Sequence, residues 1–314
     1  MSKLAFVFPG QGSQEVGMGK DLIKNYKEAI ELFDEANIAL KDEGFDLKKL
    51  CLEGSKEELT KTINAQPAVL VISIILYKLL QKNNINPDVV AGHSLGEYSA
   101  LVVASSIEFK EAIRLVRKRG QYMQTATPFG TGSMAAIISL QKDKVEELIK
   151  KVSKFGTIEV ANYNSPYQIV VSGKNKVIEK LLVLGEEEEE INIIPLKVSA
   201  PFHSSLMRKA KENLASYIKN VNIQDPQIPV ICNVTADYVK TKEEIKNALI
   251  EQVTHPIKWV EIIKKMNSEG INYFIEVGPG DVLKKLIKQI LPKAKVYNVS
   301  DSESLEKLIR KFNG

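Results

Sequence analysis

Three short apolar runs in this 314-residue chain end in glycine-containing loops and pass straight into helical spacing, which restricts the fold more than any other feature. Leu4–Phe8 leads into Pro9-Gly10-Gln11-Gly12-Ser13-Gln14. Val89-Val90-Ala91 leads into Gly92-His93-Ser94-Leu95-Gly96. Tyr273-Phe274-Ile275-Glu276-Val277 leads into Gly278-Pro279-Gly280, after which Val282, Leu283, Leu286, Ile287 and Ile290 recur with a helical period. Strand, loop and helix repeated in this order predict α/β architecture, with the three loops gathered at one end of a parallel sheet.

The middle of the chain follows a different order. Strand character at Met134–Ser139, Ile158–Asn162, Gln168–Ser172 and Ile191–Leu196 alternates with helical spacing at Asp143–Lys154 and Asn175–Leu184. That βαββαβ order is the split-βαβ, ferredoxin-like motif. Gly130-Thr131-Gly132 before it and Ser199-Ala200-Pro201 after it are the expected hinges. The division is therefore a subdomain at 128–198 inserted into a discontinuous core of 1–127 and 199–314. Val69–Leu80, broken by Ser73, Tyr77 and Lys78, is too short to span a bilayer and is expected to be a buried helix. Glu186–Glu190 is expected to be solvated surface.

Composition narrows the functional classes. At 44% hydrophobic the chain can bury a large core. Forty-three Lys and Arg face 39 Asp and Glu, a net charge of +4 spread along the chain. A dedicated nucleic-acid binder concentrates its basic residues, so that class is excluded, whereas an acidic protein partner is compatible. Cys51 and Cys232 lie far apart, without the spacing of a zinc site or disulfide framework. With no signal-peptide pattern at the N-terminus, the expectation is a cytoplasmic protein outside the membrane, with a monomer as default.

The chemistry converges on a few residues. Gly92-His93-Ser94-Leu95-Gly96 matches the G-x-S-x-G nucleophile elbow, in the strand-to-helix setting that motif needs. The sharp turn lifts the serine hydroxyl above the sheet, beside the unpaired N–H groups of a helix start. The alternative is a serine that merely caps the next helix. A serine nucleophile needs a base, and only His93, His203 and His255 are available. His93 neighbours Ser94 and points to the opposite face. His255 precedes Pro256, which favours an extended backbone. Elimination favours His203, in the irregular stretch Val198–Ser204. On the helix expected from Glu108 to Thr125, Arg119 shares the apolar face of Ala112, Leu115, Val116 and Met123, while Arg114, Arg117 and Gln121 fall on the side expected to be solvated. An inward guanidinium requires an anion: an internal Asp or Glu, or a carboxylate on a substrate. The loop Pro9–Gln14 lacks both the P-loop ending and the dinucleotide glycine spacing.

Taken together, Phe8–Gln14, Ala91–Ala100, Arg119-Gly120, Asn162–Pro166, Pro201-Phe202-His203 and Glu276–Gly280 resemble, in order, the motifs of the malonyl-coenzyme A:acyl carrier protein transacylases of fatty-acid synthesis. The resemblance extends over nearly the whole chain. It implies Ser94 as nucleophile, His203 as base and then acid, and the backbone N–H groups of Gln11 and Leu95 as oxyanion hole. It further implies that Arg119 grips the malonyl carboxylate and that the backbone carbonyl of Gln252 orients the histidine. Asn162 would lie near the site. His255 stands where Asn is more usual in that family, which leaves its role open. The implied fold is a hydrolase-like α/β core with a ferredoxin-like subdomain. The implied substrate is malonyl-coenzyme A and the implied partner acyl carrier protein, with no metal and no permanently bound cofactor. Two rival readings use the same residues: a serine esterase or thioesterase, and a non-catalytic module that docks carrier protein.

Overall fold

A computed structural model describes residues 3–128, 130–198 and 200–313, and within it the apolar runs become the central strands of an α/β sheet. The strands are β1 (Leu4–Phe8), β2 (Val89–Gly92), β3 (Gly132–Ile138), β4 (Ile158–Ser165), β5 (Gln168–Lys174), β6 (Asn192–Pro195), β7 (Val230–Ile231), β8 (Tyr238–Val239), β9 (Tyr273–Val277) and β10 (Lys295–Val299). Six of them form one sheet in the order β10-β9-β1-β2-β7-β8. Every pairing in it is parallel except β7 with β8. β1 explains why such runs read as continuously apolar. Leu4, Phe6 and Phe8 enter one core with the helix Thr62–Lys82, whereas Ala5 and Val7 enter a second core with Trp259, Ile262 and Leu286. A strand covered on both faces has no side left for polar residues.

The helix Thr62–Lys82 is longer than the apolar segment read from sequence, and its 21 residues do have the length and composition to cross a membrane. Burial decides the matter differently from length: 89% of its most apolar 18-residue window lies inside the protein. Pro67 removes one N–H from this helix, so the carbonyl of Ile63 loses the partner it would have four residues on. Arg117 supplies one, its Nη1 donating to Ile63 O at 3.1 Å. The expectation that Arg117 faces solvent is thereby corrected. It is buried, pairs with Glu43 at 2.8 Å and stacks on Phe45. The close crossing that buries it is made at Gly120 of the helix Phe109–Thr125, where a Cβ would stand 2.7 Å from Ile63 Cα.

Residues 132–195 form the second sheet, antiparallel throughout, in the order β4-β5-β3-β6. The helices Lys142–Ser153 and Asn175–Gly185 supply Val145, Leu148, Val152, Val177 and Leu181 to its own core. Its other face contributes Met134, Ala136 and Val170 to the main core. β4 runs three residues beyond the expected strand, with irregular register between Val160 and Asn162 and between Tyr163 and Ser165. Gly132, expected in a hinge, is the first residue of β3 instead, packed so that a Cβ would meet Pro201. Ser199 of the second expected hinge lies outside the described residues. An isolated bridge from Asn162 to Ile257 and the hydrogen bond between His93 and Asn164 add to this shared core in tying the smaller sheet to the larger unit.

Candidate active site

The loops after β1 and β2 meet at the carboxyl end of the parallel sheet, and the contact is close enough to dictate residue type. A Cβ on Gly92 would stand 1.8 Å from the carbonyl carbon of Gly96, and one on Gly96 would stand 2.0 Å from Phe8 O. Between these glycines Ser94 adopts φ 52°, the left-handed region that side chains rarely occupy. Strain of this kind persists only where its surroundings enforce it. Here Asn233, just beyond β7, does so. Its Oδ1 accepts the Ser94 N–H at 2.8 Å and its Nδ2 donates to Gly92 O at 2.7 Å.

The Ser94 side chain does not cap the following helix, Gly96–Val103, which has no side-chain cap at all. Instead Ser94 Oγ lies 2.8 Å from His203 Nε2 and accepts from Arg119 Nη2 at 3.1 Å. His203, itself at φ 56°, lies with Nδ1 2.8 Å from the backbone carbonyl of Gln252. A carbonyl can only accept, so Nδ1 carries the proton and Nε2 is left free to take the serine's. Burial, reinforced by the Arg119 charge, pushes the His203 pKa down to about 3 and keeps the imidazole neutral. The other two histidines are engaged elsewhere. His93 pairs with Asn164 Oδ1 at 2.9 Å and meets the edge of Trp259. His255 is exposed, 2.8 Å from the carbonyl of Glu251.

Arg119 is 2% exposed, as its place on the apolar face of its helix requires. Among the described residues it makes no ion pair, so the internal Asp or Glu partner is absent there. Its donors go to Gln66 Oε1 at 2.7 Å, Gln252 Oε1 at 2.8 Å and Ser94 Oγ, while buried Nε lacks a partner among the described residues. Gln252 does more than its carbonyl alone implied. Its side-chain Nε2 donates to Glu97 Oε2 at 2.8 Å, to Ser94 O at 3.0 Å and to Asn233 Oδ1 at 3.2 Å. Glu97 is buried, and desolvation raises its pKa to about 7 against the lowering effects of Gln252, Asn233 and Arg119.

Gln11 lies in the turn after β1 and Leu95 at the start of the helix after β2, and neither backbone N–H donates to an acceptor among the described residues. The Gln11 side chain is held by the Thr62 hydroxyl. Asn162 lines a cavity of 250 Å³ with Gln11, His93, Leu283 and Leu286, and makes no hydrogen bond to Ser94, His203 or Arg119. Asn233, Glu97 and Gln66 are polar partners that sequence reasoning missed. Ile228-Pro229-Val230-Ile231-Cys232-Asn233 carried a signal, an apolar run ending in a polar residue, and so did Gln66 at the head of an otherwise apolar helix.

The acyl transferase domain family model matches residues 5–314. The chain is 46% identical to the malonyl CoA-acyl carrier protein transacylase of Bacillus subtilis over 311 residues, 99% of this chain and 97% of that protein. It is 42% identical to the protein of the same name from Haemophilus influenzae, over 97% of each. Among solved structures, the malonyl CoA-acyl carrier protein transacylase of Coxiella burnetii superposes with a TM-score of 0.95 at 37% identity, covering 100% of this chain and 98% of that one. A type II PKS acyl-carrier protein in complex with its malonyl-transacylase matches with a TM-score of 0.94 at 38% identity, over 99% of this chain and 100% of that chain.

Proposed function

As this chain belongs to the acyl transferase family, we propose that it transfers malonyl from malonyl-coenzyme A to the phosphopantetheine thiol of acyl carrier protein, supplying fatty-acid synthesis. One observation carries the reading. A buried guanidinium without a carboxylate partner among the described residues stands 3.1 Å from the oxygen of a serine that is paired with a neutral histidine. In malonyl thioester the reacting carbonyl and the free carboxylate are separated by one methylene, so a group bonded at Ser94 brings its carboxylate to Arg119.

The reaction then divides into two transfers through a malonyl-serine ester. His203 Nε2 takes the Ser94 proton as Oγ attacks the thioester carbonyl. The N–H groups of Gln11 and Leu95 receive the oxyanion. As the C–S bond breaks, the proton passes from His203 to the departing thiolate of coenzyme A. The carrier's thiol next gives its proton to His203 and attacks the ester. Collapse of that intermediate returns the proton to Ser94 Oγ. Gln252 O holds the imidazole throughout, in the place an aspartate takes in a triad. Arg119 exchanges its bond to Ser94 Oγ for the malonyl carboxylate, which frees the serine oxygen as the correct substrate arrives. These steps require neither a metal nor a redox cofactor. Asn162 serves the outer cavity, where the pantetheine arm would enter.

The order β4-β5-β3-β6 with two helices supports reading 128–198 as a ferredoxin-like subdomain on a hydrolase-like core of 1–127 and 199–314. A monomer in a reducing cytoplasm agrees with two free, buried cysteines. The test is intact-mass analysis after incubation with malonyl-coenzyme A and then carrier protein. The wild type should gain one malonyl group and lose it to the carrier, and Ser94→Ala should gain none. An adduct persisting on Ser94→Ala would overturn the assignment. Loss of the adduct to water without carrier would favour a thioesterase.

A further inference from the structure

Arg119 faces two opposed demands. A buried cation without a counter-charge is costly, yet a carboxylate bonded directly to it would compete with the substrate for the same fork. The chain places Glu97 between these extremes. Glu97 is 2% exposed and makes no ion pair among the described residues. Its Oε2 accepts from Gln252 Nε2 at 2.8 Å, and Gln252 Oε1 accepts from Arg119 Nη2 at 2.8 Å. Above pH 7, where Glu97 is ionised, anion and cation are thus joined through one primary amide.

That amide can face only one way. Its NH2 meets three acceptors, Glu97 Oε2, Ser94 O and Asn233 Oδ1, while its oxygen meets a guanidinium donor. Rotated by half a turn, it would set NH2 against a cation and C=O against a carboxylate. We propose that Glu97 is a positioning residue that acts through Gln252, supplying Arg119 with a counter-charge one amide away and so leaving its fork open to the carboxylate of the substrate. Glu97 also accepts the backbone N–H of Asn233 at 3.0 Å, which locks the residue that holds Ser94 in its left-handed turn. The inference rests on the reading of Arg119 as the carboxylate-binding residue. It adds a source for the selectivity of that residue, since a charge at Glu97 is felt by an anionic acyl group and ignored by a neutral one.

The test removes the charge and keeps the acceptor. In Glu97→Gln the new amide oxygen can still receive Gln252 Nε2 and Asn233 N–H, while the anion is gone. Affinity is read in a Ser94→Ala background, where no acyl-enzyme forms. Dissociation constants are measured at pH 8, where Glu97 is ionised, for malonyl-coenzyme A and acetyl-coenzyme A, with thermal melting to verify folding. The malonyl thioester should bind about tenfold tighter, because it no longer shares the cation with a second anion, and the acetyl thioester should bind as before. Equal shifts for both, or no shift for malonyl, would overturn the proposal. If Glu97→Gln fails to fold, the Ser94→Ala protein alone decides: malonyl-coenzyme A should bind tighter as pH falls from 8 to 6 and Glu97 loses its charge, with acetyl-coenzyme A unmoved, and a flat malonyl profile or equal shifts would refute the role. A wild type that transfers no malonyl would instead overturn the functional reading itself.

Discussion

Arg119→Ala separates malonyl transfer from generic acyl transfer. The guanidinium is almost wholly buried and, in the proposed complex, would be the only cation meeting the acyl carboxylate among the groups bonded around Ser94. Its removal leaves that carboxylate desolvated and unpaired, a loss of roughly 2–5 kcal/mol. Expressed as kcat/KM for malonyl-coenzyme A, this is a fall of roughly 30- to 5,000-fold. Acetyl-coenzyme A has no carboxylate to lose. Its transfer should be unchanged or faster, since Ser94 Oγ is also released from the Arg119 bond that draws on its lone pair. The variant carries a stability cost, because Gln66 Oε1 and Gln252 Oε1 lose their donor and each orphaned acceptor costs about 1–3 kcal/mol. The assay therefore compares the malonyl-to-acetyl ratio of kcat/KM in wild type and variant, with circular dichroism and melting to count folded enzyme. Arg119→Lys should fall between the two, retaining charge but not the planar fork. A folded Arg119→Ala that lost both activities equally would refute the reasoning and make the arginine a structural hydrogen-bond hub.

His203→Ala should slow both half-reactions, measured separately as acyl-enzyme formation and its discharge, by about 10²–10⁴-fold, the usual worth of a general base. His255→Ala removes an exposed side chain that makes no bond to Ser94, His203 or Arg119 and should stay close to wild type, and the reverse ranking would reject His203 as base. The proposed base would work as neutral imidazole, and burial and Arg119 hold the His203 pKa down to about 3. Activity should therefore show no histidine-linked fall as pH drops from 8 to 5, in contrast to an ordinary histidine near 6.5. In Arg119→Ala the acid limb, followed with acetyl-coenzyme A, should move upward because one lowering charge is gone; an unmoved limb would contradict the coupling. Gly92→Ala should yield no native protein, as its Cβ would fall 1.8 Å from Gly96 C, and a melt matching wild type would refute the packing argument.

Much of the fold was legible because burial on both faces leaves a plain mark. β1 and β2 are apolar throughout and β9 is apolar but for Tyr273 and the buried Glu276, and glycines after β1 and β2 let the two loops approach within a Cβ of one another. The second sheet was legible in order and imprecise at its edges. Gly132 read as a hinge because glycine usually breaks structure, while its actual reason is Pro201 packed against it. Arg117 was misread for a related reason. Helical periodicity reports one buried stripe, whereas this helix packs against the helices Lys27–Ala39, Thr62–Lys82, Gly96–Val103 and Arg208–Ile218 and serves a carbonyl freed by Pro67. A proline's unpaired carbonyl lies four residues upstream, and its acceptor need is visible in sequence only if the arginine's position is already known.

The site divides along the same line. Ser94 and Arg119 announce themselves, one by a motif that needs glycines on both sides and the other by a charge on an apolar face. His203 could be reached by elimination among three. Gln252 could not be reached from the residues alone, because its contact with His203 uses the backbone, which every residue possesses. Its side chain, however, is specific: only an amide offers the oxygen that Arg119 needs and the NH2 that Glu97, Ser94 and Asn233 need, at the ends of one planar group. Under the proposed roles, the identity of Gln252 is demanded by the arginine that would bind the carboxylate and by its distant counter-charge, while the histidine demands only its position in the chain. An enzyme with this elbow and base but no anionic acyl group to hold would keep the backbone carbonyl and be free to change the side chain. Retention of catalysis but loss of malonyl preference in Gln252→Leu would separate these two demands within a single residue.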